Sequence, residues 1–255
     1  MADRRAQLRD QYVAVCGRWD DALEGLLELD PDFFAAYLAF AAAPWKGGRL
    51  EPKVREFVLL AVDAAATHLY EPGIRLHIRR ALDHGATEEE LLEVLQLAST
   101  LGIHSVTVGV PVLIECAGGS GRDPETPLSA RQEQLKADFE EKRGYWNPFW
   151  DGLLDLDPEF FAAYLEFSSR PWTHGVLEPR VKELIYTAFD ASATHMYVPG
   201  LAQHIRNALA YGATVGEVME VLELASSLGI HTFAVTTPIL DEELERAGVT
   251  RDRRP

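Results

Sequence analysis

Six of the eight histidines fall into three pairs that recur along the chain, and each copy also carries a glutamate and a tyrosine. Imidazole, carboxylate and phenol groups transfer protons in many enzymes, and the first two also bind metal ions. Two copies of one such set predict two sites for acid–base chemistry. The candidate catalytic residues are Glu56, His68, Tyr70, His77 and His104 in the first copy and Glu183, His195, Tyr197, His204 and His231 in the second.

These residues belong to a gap-free internal repeat. The segment ATHLYEPGIRLHIRRALDHGAT at 66–87 recurs as ATHMYVPGLAQHIRNALAYGAT at 193–214, an offset of 127 residues. A period this long is a whole domain rather than one unit of a solenoid. The stretch between the copies is rich in Gly, Pro, Ser and charge, which is typical of a linker. We therefore predict a first repeat at 1–116, a linker at 117–128 and a second repeat at 129–255.

Hydrophobic periodicity predicts helices in each repeat. Apolar residues recur at three- and four-residue steps from Leu8 to Leu26, which indicates one long amphipathic helix. SVTVGVPVL at 105–113 has β propensity, but nothing nearby offers a strand partner, so we predict a helix there too. Other helices are expected from 51 to about 67, from Gly73 to Gly85, and from a Thr87–Glu90 capping box to about Leu101.

Two acids share one face of the helix predicted from residue 51. Glu56 and Asp63 are seven residues apart, and the same pair recurs as Glu183 and Asp190. Carboxylates within an apolar segment such as REFVLLAVDAAAT are costly to bury unless they have partners. His104 extends an apolar stripe of its own helix, so we expect the histidines to point inward, toward these acids.

Each residue also has a purely structural interpretation. A single histidine on an apolar stripe, such as His104, is more often a hydrogen-bonded core residue than a catalytic one. Glu56 could pair with Arg55 or Arg79, and His77 could lie at the surface near a helix start. The joint retention of an acid, two histidines and a tyrosine in both copies favours a functional site.

Composition narrows the classes of partner and compartment. The net charge of −16 disfavours binding to nucleic acid, because an acidic surface repels phosphates. We expect no membrane association, since no run of 18 apolar residues occurs, and a cytoplasmic location, since MADRRAQLRDQY is not a signal sequence. The two cysteines, Cys16 and Cys116, do not suggest a disulfide framework.

The repeated motif resembles the carboxymuconolactone decarboxylase family, whose relatives include the alkylhydroperoxidase D proteins. The resemblance covers about 45–115 and 172–242. It rests on VREFVLLAVDAA followed by GIRLHIRRALDHGATEEELLEVL, and on VKELIYTAFDAS followed by GLAQHIRNALAYGATVGEVMEVL. It implies an all-α fold, here two tandem alkylhydroperoxidase D-like helical domains forming a pseudo-dimer, with sites in pockets between helices of neighbouring units.

The resemblance also carries over residue by residue. The family glutamate matches Glu56 and Glu183, and the motif histidine matches His77 and His204. The hydroperoxidase branch has two cysteines, seven and four residues before that histidine. Those positions hold Tyr70 and Gly73 in one copy and Tyr197 and Gly200 in the other, so thiol peroxidase chemistry is not expected.

The resulting hypothesis is a decarboxylase-like enzyme, a lyase, that acts on a small, anionic carboxylate or lactone by decarboxylation, isomerisation or hydrolysis. His77 or Glu56 would act as base, and His68 or Tyr70 would donate to an enolate. We expect no cofactor by default. A metal-dependent lyase or hydrolase using the His/Glu cluster with a divalent metal, and a non-catalytic scaffold or sensor, remain alternatives.

The resemblance further implies an oligomer. Relatives with one repeat per chain commonly form hexamers, and a fused pair supplies two of six units. We therefore expect a homotrimer. The aromatic segment DPDFFAAYLAF supports some assembly, because Phe33, Phe34, Tyr37 and Phe40 cover much of a helix circumference.

Overall fold

The computed structural model describes residues 2–17, 19–119, 122 and 126–249, and these ranges contain helices and turns without a strand. The all-α prediction is confirmed. Residues 120, 121 and 123–125 of the predicted linker lie outside the described ranges, as do residues 1, 18 and 250–255 of the two repeats.

The two halves have the same order of helices. The first half comprises α1 (Ala2–Cys16), a 3-10 turn (Asp21–Leu23), α2 (Glu24–Leu29), α3 (Pro31–Gly47), α4 (Pro52–Ala64), α5 (Glu71–Asp83), α6 (Glu88–Ser99), a 3-10 turn (Thr100–Ile103) and α7 (His104–Cys116). The second comprises α8 (Ala130–Arg143), a 3-10 turn (Pro148–Trp150), α9 (Asp151–Leu156), α10 (Pro158–His174), α11 (Pro179–Ala191), α12 (Val198–Ala210), α13 (Val215–Ser227), a 3-10 turn (Leu228–Ile230) and α14 (His231–Arg246). The tandem repeat is therefore structural as well as sequential.

The predicted helix from Leu8 to Leu26 is wrong as a single element. Helix α1 ends at Cys16, because Gly17 adopts a left-handed conformation with φ of 78°. The Asp20 side chain then accepts a hydrogen bond from the Ala22 amide, which starts a 3-10 turn before α2. The apolar periodicity continues across the break because both pieces pack on the same core.

The turn between α4 and α5 determines where the site residues lie. Helix α4 ends at Ala64, three residues earlier than predicted. Leu69 has φ of 48°, a left-handed conformation that is uncommon outside glycine, and the Tyr70 amide donates to the Asp63 carbonyl at 2.9 Å. Met196 adopts the same conformation in the second half. This turn places a histidine and a tyrosine beside the end of α4.

Two other local predictions are confirmed, and one helix start differs. The Thr87–Glu90 capping box is formed, as is its counterpart at Thr214 and Glu217. The segment 105–113 is helical within α7. Helix α5 begins at Glu71 rather than at Gly73, because a proline in its first turn favours an earlier start.

The halves share one core around α4 and α11, and each half buries a glutamate in the other. Glu220 of α13 is fully buried, lies 2.5 Å from Arg55 of α4, and accepts a hydrogen bond from the Leu50 amide. Glu93 of α6 lies 2.8 Å from Lys182 of α11 and accepts from the Leu177 amide. These reciprocal contacts join the repeats into a pseudo-dimer.

The last helix of each half crosses to the other half. Helix α7 packs against α9, and α14 packs against α2. The residues that begin these helices, His104 and His231, are therefore carried toward the opposite repeat.

Two helical stretches have the length and composition of a membrane span. They are Glu88–Cys116 and Val215–Arg246, with mean hydropathies of 1.7 and 1.3, and 33% of each apolar window is buried inside the fold. Core helices of soluble proteins meet the same criteria, so the absence of membrane association stays a prediction.

The buried cross-repeat ion pairs predict a large stability loss on truncation. Glu220→Ala should leave Arg55 buried and unpaired, and Glu93→Ala should do the same to Lys182, which costs about 3–5 kcal/mol. Urea unfolding followed by circular dichroism measures this. Glu71→Ala is the control, because its ion pair with Arg75 is exposed and should matter little. A loss below about 1 kcal/mol in both core variants would contradict the interlocking role.

Candidate active sites

Two related clusters lie in the interior, and each combines residues of both halves. Site A consists of Glu56, Asp63, His68, Tyr70 and His77 from the first half and His231 from the second. Site B consists of Glu183, Asp190, His195, Tyr197 and His204 from the second half and His104 from the first. All ten predicted residues lie in these two sites, and the two aspartates complete them.

A glutamate–histidine pair forms the centre of each site. His77 Nδ1 lies 2.8 Å from Glu56 Oε2, and His204 Nδ1 lies 2.6 Å from Glu183 Oε2. Both glutamates are fully buried. Since an ionised carboxylate only accepts hydrogen bonds, Nδ1 donates and Nε2 is left as the acceptor. This arrangement orients the imidazole as a base.

The glutamate in site A also has a cationic neighbour that the sequence did not suggest. Arg80 Nη2 lies 2.8 Å from Glu56 Oε1, and the Arg80 side chain is buried. The structural alternative in which Arg55 or Arg79 pairs with Glu56 is wrong, because Arg55 pairs with Glu220 and Arg79 is exposed. Asn207 occupies the equivalent position in the second half and donates to Glu183 Oε1 at 3.1 Å.

Site B has its arginine at a different position in the chain. Arg143, at the end of α8, is buried, and its equivalent in the first half is Cys16. The Arg143 guanidinium carbon lies 5.0 Å from the ring centre of Trp172, and that of Arg80 lies 4.7 Å from the equivalent Trp45. Each site therefore has a guanidinium stacked on the equivalent tryptophan, although the two arginines come from different helices.

Two imidazoles and a carboxylate meet beside each glutamate–histidine pair. In site A, His68 Nε2 lies 3.0 Å from His231 Nδ1, and Asp63 Oδ1 lies 3.6 and 3.5 Å from them. In site B, the corresponding separations are 2.5 Å between His104 and His195, and 3.7 and 3.9 Å to Asp190 Oδ1.

Burial dominates the electrostatics of these groups. It raises the pKa of Asp63 to about 8, with help from the negative charge of Asp20, and that of Asp190 to about 7. Burial and neighbouring imidazoles lower the pKa of His231 and His104 to about 3. Burial also lowers the pKa of His68 and His195. The four imidazoles of His68, His104, His195 and His231 are therefore neutral at pH 7.

The two tyrosines stack on the imidazoles from the opposite half. Tyr70 and His231 have ring centres 3.9 Å apart, and Tyr197 and His104 have the same separation. Burial raises the pKa of both phenols, which keeps them protonated and able to donate a hydrogen bond.

The cavities beside the two sites have related walls of different chemistry. Cavity A is lined by residues that include Tyr12, Cys16, Asp20, Tyr37, Leu59, His77, Arg80 and His231. Cavity B is lined by residues that include His104, Arg143, Tyr145, Tyr164, Tyr186, Tyr197 and His204. Leu59 and Tyr186 are equivalent positions, and the equivalent of Asp20 is Asn147. Cavity B is thus more aromatic, and its equivalent of Asp20 is uncharged.

The positions of the second peroxidase-type cysteine are closed by the aspartates. A Cβ atom at Gly73 would collide with the Asp63 carboxylate and the Tyr70 ring, and one at Gly200 would collide with Asp190 and Tyr197. These glycines are needed for close approach of the backbone to the aspartates.

Sequence reasoning did not predict that His104 and His231 lie in the site of the opposite half. It also missed both arginines, Arg80 and Arg143. The aspartates carried a signal, because they recur at equivalent positions. The arginines carried none, because neither is retained at its equivalent position. His84 and His174, which do not recur, are exposed and lie outside both sites.

The Cys16 thiol gives a pH-dependent test of cavity A. Burial raises its pKa to about 11, and the thiolate is the reactive form, so alkylation should accelerate about tenfold per pH unit between 7 and 10 without a plateau. Iodoacetamide labelling read by mass spectrometry measures this, with exposed Cys116 as internal reference and Cys116→Ser to isolate Cys16. A plateau below pH 9 would show that Cys16 is not buried as described.

Comparisons with known proteins agree with the fold. The model of the carboxymuconolactone decarboxylase family matches residues 31–111 and 158–230. No curated protein sequence matches the chain. A crystal structure from Burkholderia xenovorans, provisionally named a gamma-carboxymuconolactone decarboxylase subunit, is 53% identical, with a TM-score of 0.89 over 95% of this chain and 98% of its own. The chain belongs to the carboxymuconolactone decarboxylase family.

Proposed function

We propose that the chain is a lyase that decarboxylates a small, anionic, unsaturated lactone or a related carboxylate, with one active site in each half. The observation that carries this proposal is the recurrence of a buried glutamate–histidine pair and a buried arginine at each cavity. The name of the similar structure, gamma-carboxymuconolactone decarboxylase, gives the substrate class.

The arginine is assigned the role of substrate anchor. Arg143 lines cavity B, and its buried Nε has no hydrogen-bond partner within the described ranges. Guanidinium groups bind carboxylates through paired, charge-assisted hydrogen bonds. Arg80 supplies the same group to cavity A. An anionic substrate explains why a guanidinium is present in both cavities on a chain whose net charge is −16.

The histidine of the pair is assigned proton transfer. In decarboxylation, the bond to the departing carboxylate breaks, carbon dioxide leaves, and the electron pair moves into the unsaturated lactone as an enolate. The imidazolium form of His77 or His204, stabilised by its glutamate, then delivers one proton to carbon and regains one from water. An isomerisation would use the same nitrogen first as base and then as acid.

The enolate oxygen needs a hydrogen-bond donor, and we assign this role to a histidine and a tyrosine in each site. In site A the donors are His68 and Tyr70, and in site B they are His195 and Tyr197. Neutral imidazole and protonated phenol can both donate without a change of charge. With Tyr70 and Gly73 at the peroxidase cysteine positions, we propose no thiol peroxidase step.

The proposal predicts that activity depends on both histidines. With gamma-carboxymuconolactone as probe and carbon dioxide release as readout, His77→Ala and His204→Ala should each leave one active site. The double variant should lose about 10²–10⁴ in kcat. His84→Ala is the control, because it is exposed and outside both sites. Full activity in a folded double variant, or no turnover of the probe by the native chain, would refute the proposed reaction.

The two arginines stand at different positions of the repeats, and this difference allows a more specific experiment. In a His204→Ala background, Arg80→Asn should raise KM about 10–100-fold, the effect of one charge-assisted contact, and change kcat less. Adding Cys16→Arg should restore much of the loss, because the new guanidinium occupies the position that Arg143 has in site B. An unchanged KM in Arg80→Asn would remove the anchoring role while leaving the proton-transfer role intact.

We also propose that the chain forms a homotrimer. Phe34 is fully buried, but Phe33 and Phe40 are 48% and 53% exposed, so the aromatic segment does not pack wholly inside the pseudo-dimer. Val112 of α7 and Ile239 of α14 are also more than half exposed. Such apolar surface is typical of a protein interface.

Light scattering at micromolar concentration tests the assembly. A trimer should have three times the mass of one 28.4 kDa chain. A mass of one chain would refute any stable oligomer, and a mass of two would replace the trimer with a dimer.

A further inference from the structure

The potential ligand atoms of each histidine–aspartate trio lie close enough together to contact one metal ion. Trio A consists of Asp63 Oδ1, His68 Nε2 and His231 Nδ1, and trio B consists of Asp190 Oδ1, His195 Nε2 and His104 Nδ1. In trio A the three separations are 3.0, 3.5 and 3.6 Å. The point equidistant from these atoms lies about 2.0 Å from each, and zinc binds histidine nitrogen and carboxylate oxygen at about 2.0–2.2 Å.

Trio B repeats this geometry with independent residues. Its separations are 2.5, 3.7 and 3.9 Å, and the equidistant point is again about 2.0 Å from each atom. The same atoms, Nε2 of one histidine and Nδ1 of the other, face the same carboxylate oxygen in both trios. The arginine and the cavity walls differ between the sites, whereas this arrangement is retained.

The aspartates lack the partners that a buried carboxylate needs. Both oxygens of Asp63 and of Asp190 are buried, and none accepts a hydrogen bond from any described residue. A hydrogen bond between the two histidines would explain their short separation but would leave the aspartate unsatisfied. A cation at the equidistant point would contact all three atoms and compensate the carboxylate.

We propose that each trio binds one divalent transition-metal ion of the zinc type. Two imidazoles and one carboxylate suit Zn²⁺ and similar ions, and three protein ligands leave a coordination position open to substrate. The Glu56 and Glu183 carboxylates are not ligands, because they are held by His77 and His204. Binding rests on this geometry alone. If the proposed function holds, the bound ion would polarise the enolate oxygen in place of the His68 donor. Only this catalytic role rests on the proposed function.

The test is Zn²⁺ binding to chelator-treated full-length protein, measured by calorimetry and by metal content after dialysis. The native chain should bind two ions. The Asp63→Asn variant and the His231→Ala variant should each bind one ion fewer, although the two residues lie in different repeats. The double variant should also bind only one ion fewer. His231→Ala combined with His195→Ala should lose both. His84→Ala is the control and should retain two.

Several outcomes would overturn the site. These are no binding tighter than about 100 μM by the native chain, two ions retained in Asp63→Asn, or the loss of one ion in His84→Ala. Circular dichroism melts confirm that each variant is folded. If His231→Ala does not fold, Asp63→Asn still tests the site, because it preserves the shape of the side chain. A chain that binds two ions but releases no carbon dioxide would refute the proposed reaction and leave the metal site standing.

Discussion

The burial of two carboxylates on one face of α4 is the constraint on which the other features depend. Glu56 and Asp63 have no exposed surface, and an unpaired carboxylate in such a place costs several kcal/mol. Helix α5 satisfies Glu56 with His77 and Arg80. Asp63 Oδ1 is approached by His68, just after α4, and by His231 from the other half, while His77 Nε2 lies 3.6 Å from Oδ2. A repeat alone would therefore contain an incomplete site, which explains why the halves are interlocked rather than merely linked.

Divergence between the repeats separates what the site requires from what the chain happens to use. Arg80 became Asn207, and Cys16 corresponds to Arg143, yet each cavity retains a guanidinium stacked on a tryptophan. The retained property is thus the positive charge at one point of the cavity. The surrounding walls have changed more, since Leu59 corresponds to Tyr186, so the two sites offer different shapes to a substrate.

The duplication made much of this site predictable. Comparing the repeats selected the ten recurring residues, and periodicity predicted the helices that carry them. Sequence spacing could not show that His104 and His231 exchange between halves, because this depends on how α7 and α14 pack in three dimensions. Arg143 follows three charged residues at a helix end, a pattern typical of an exposed surface, and its burial arises from the aromatic rings around it. Periodicity also ran across the break at Gly17, because both pieces face one core.

The aspartates lie where the resemblance to the hydroperoxidase branch would put the second cysteine of each copy. At Gly73 and Gly200 a side chain would overlap the Asp63 and Asp190 carboxylates, and these are the positions of the second peroxidase-type cysteine. One place in the fold can therefore hold either a thiol on α5 or a carboxylate from α4, but not both. The left-handed turn at Leu69 follows His68 directly, and His68 Nε2 lies 3.6 Å from Asp63 Oδ1. In this chain the carboxylates of Asp63 and Asp190 take that place, and the histidines of each trio lie beside them.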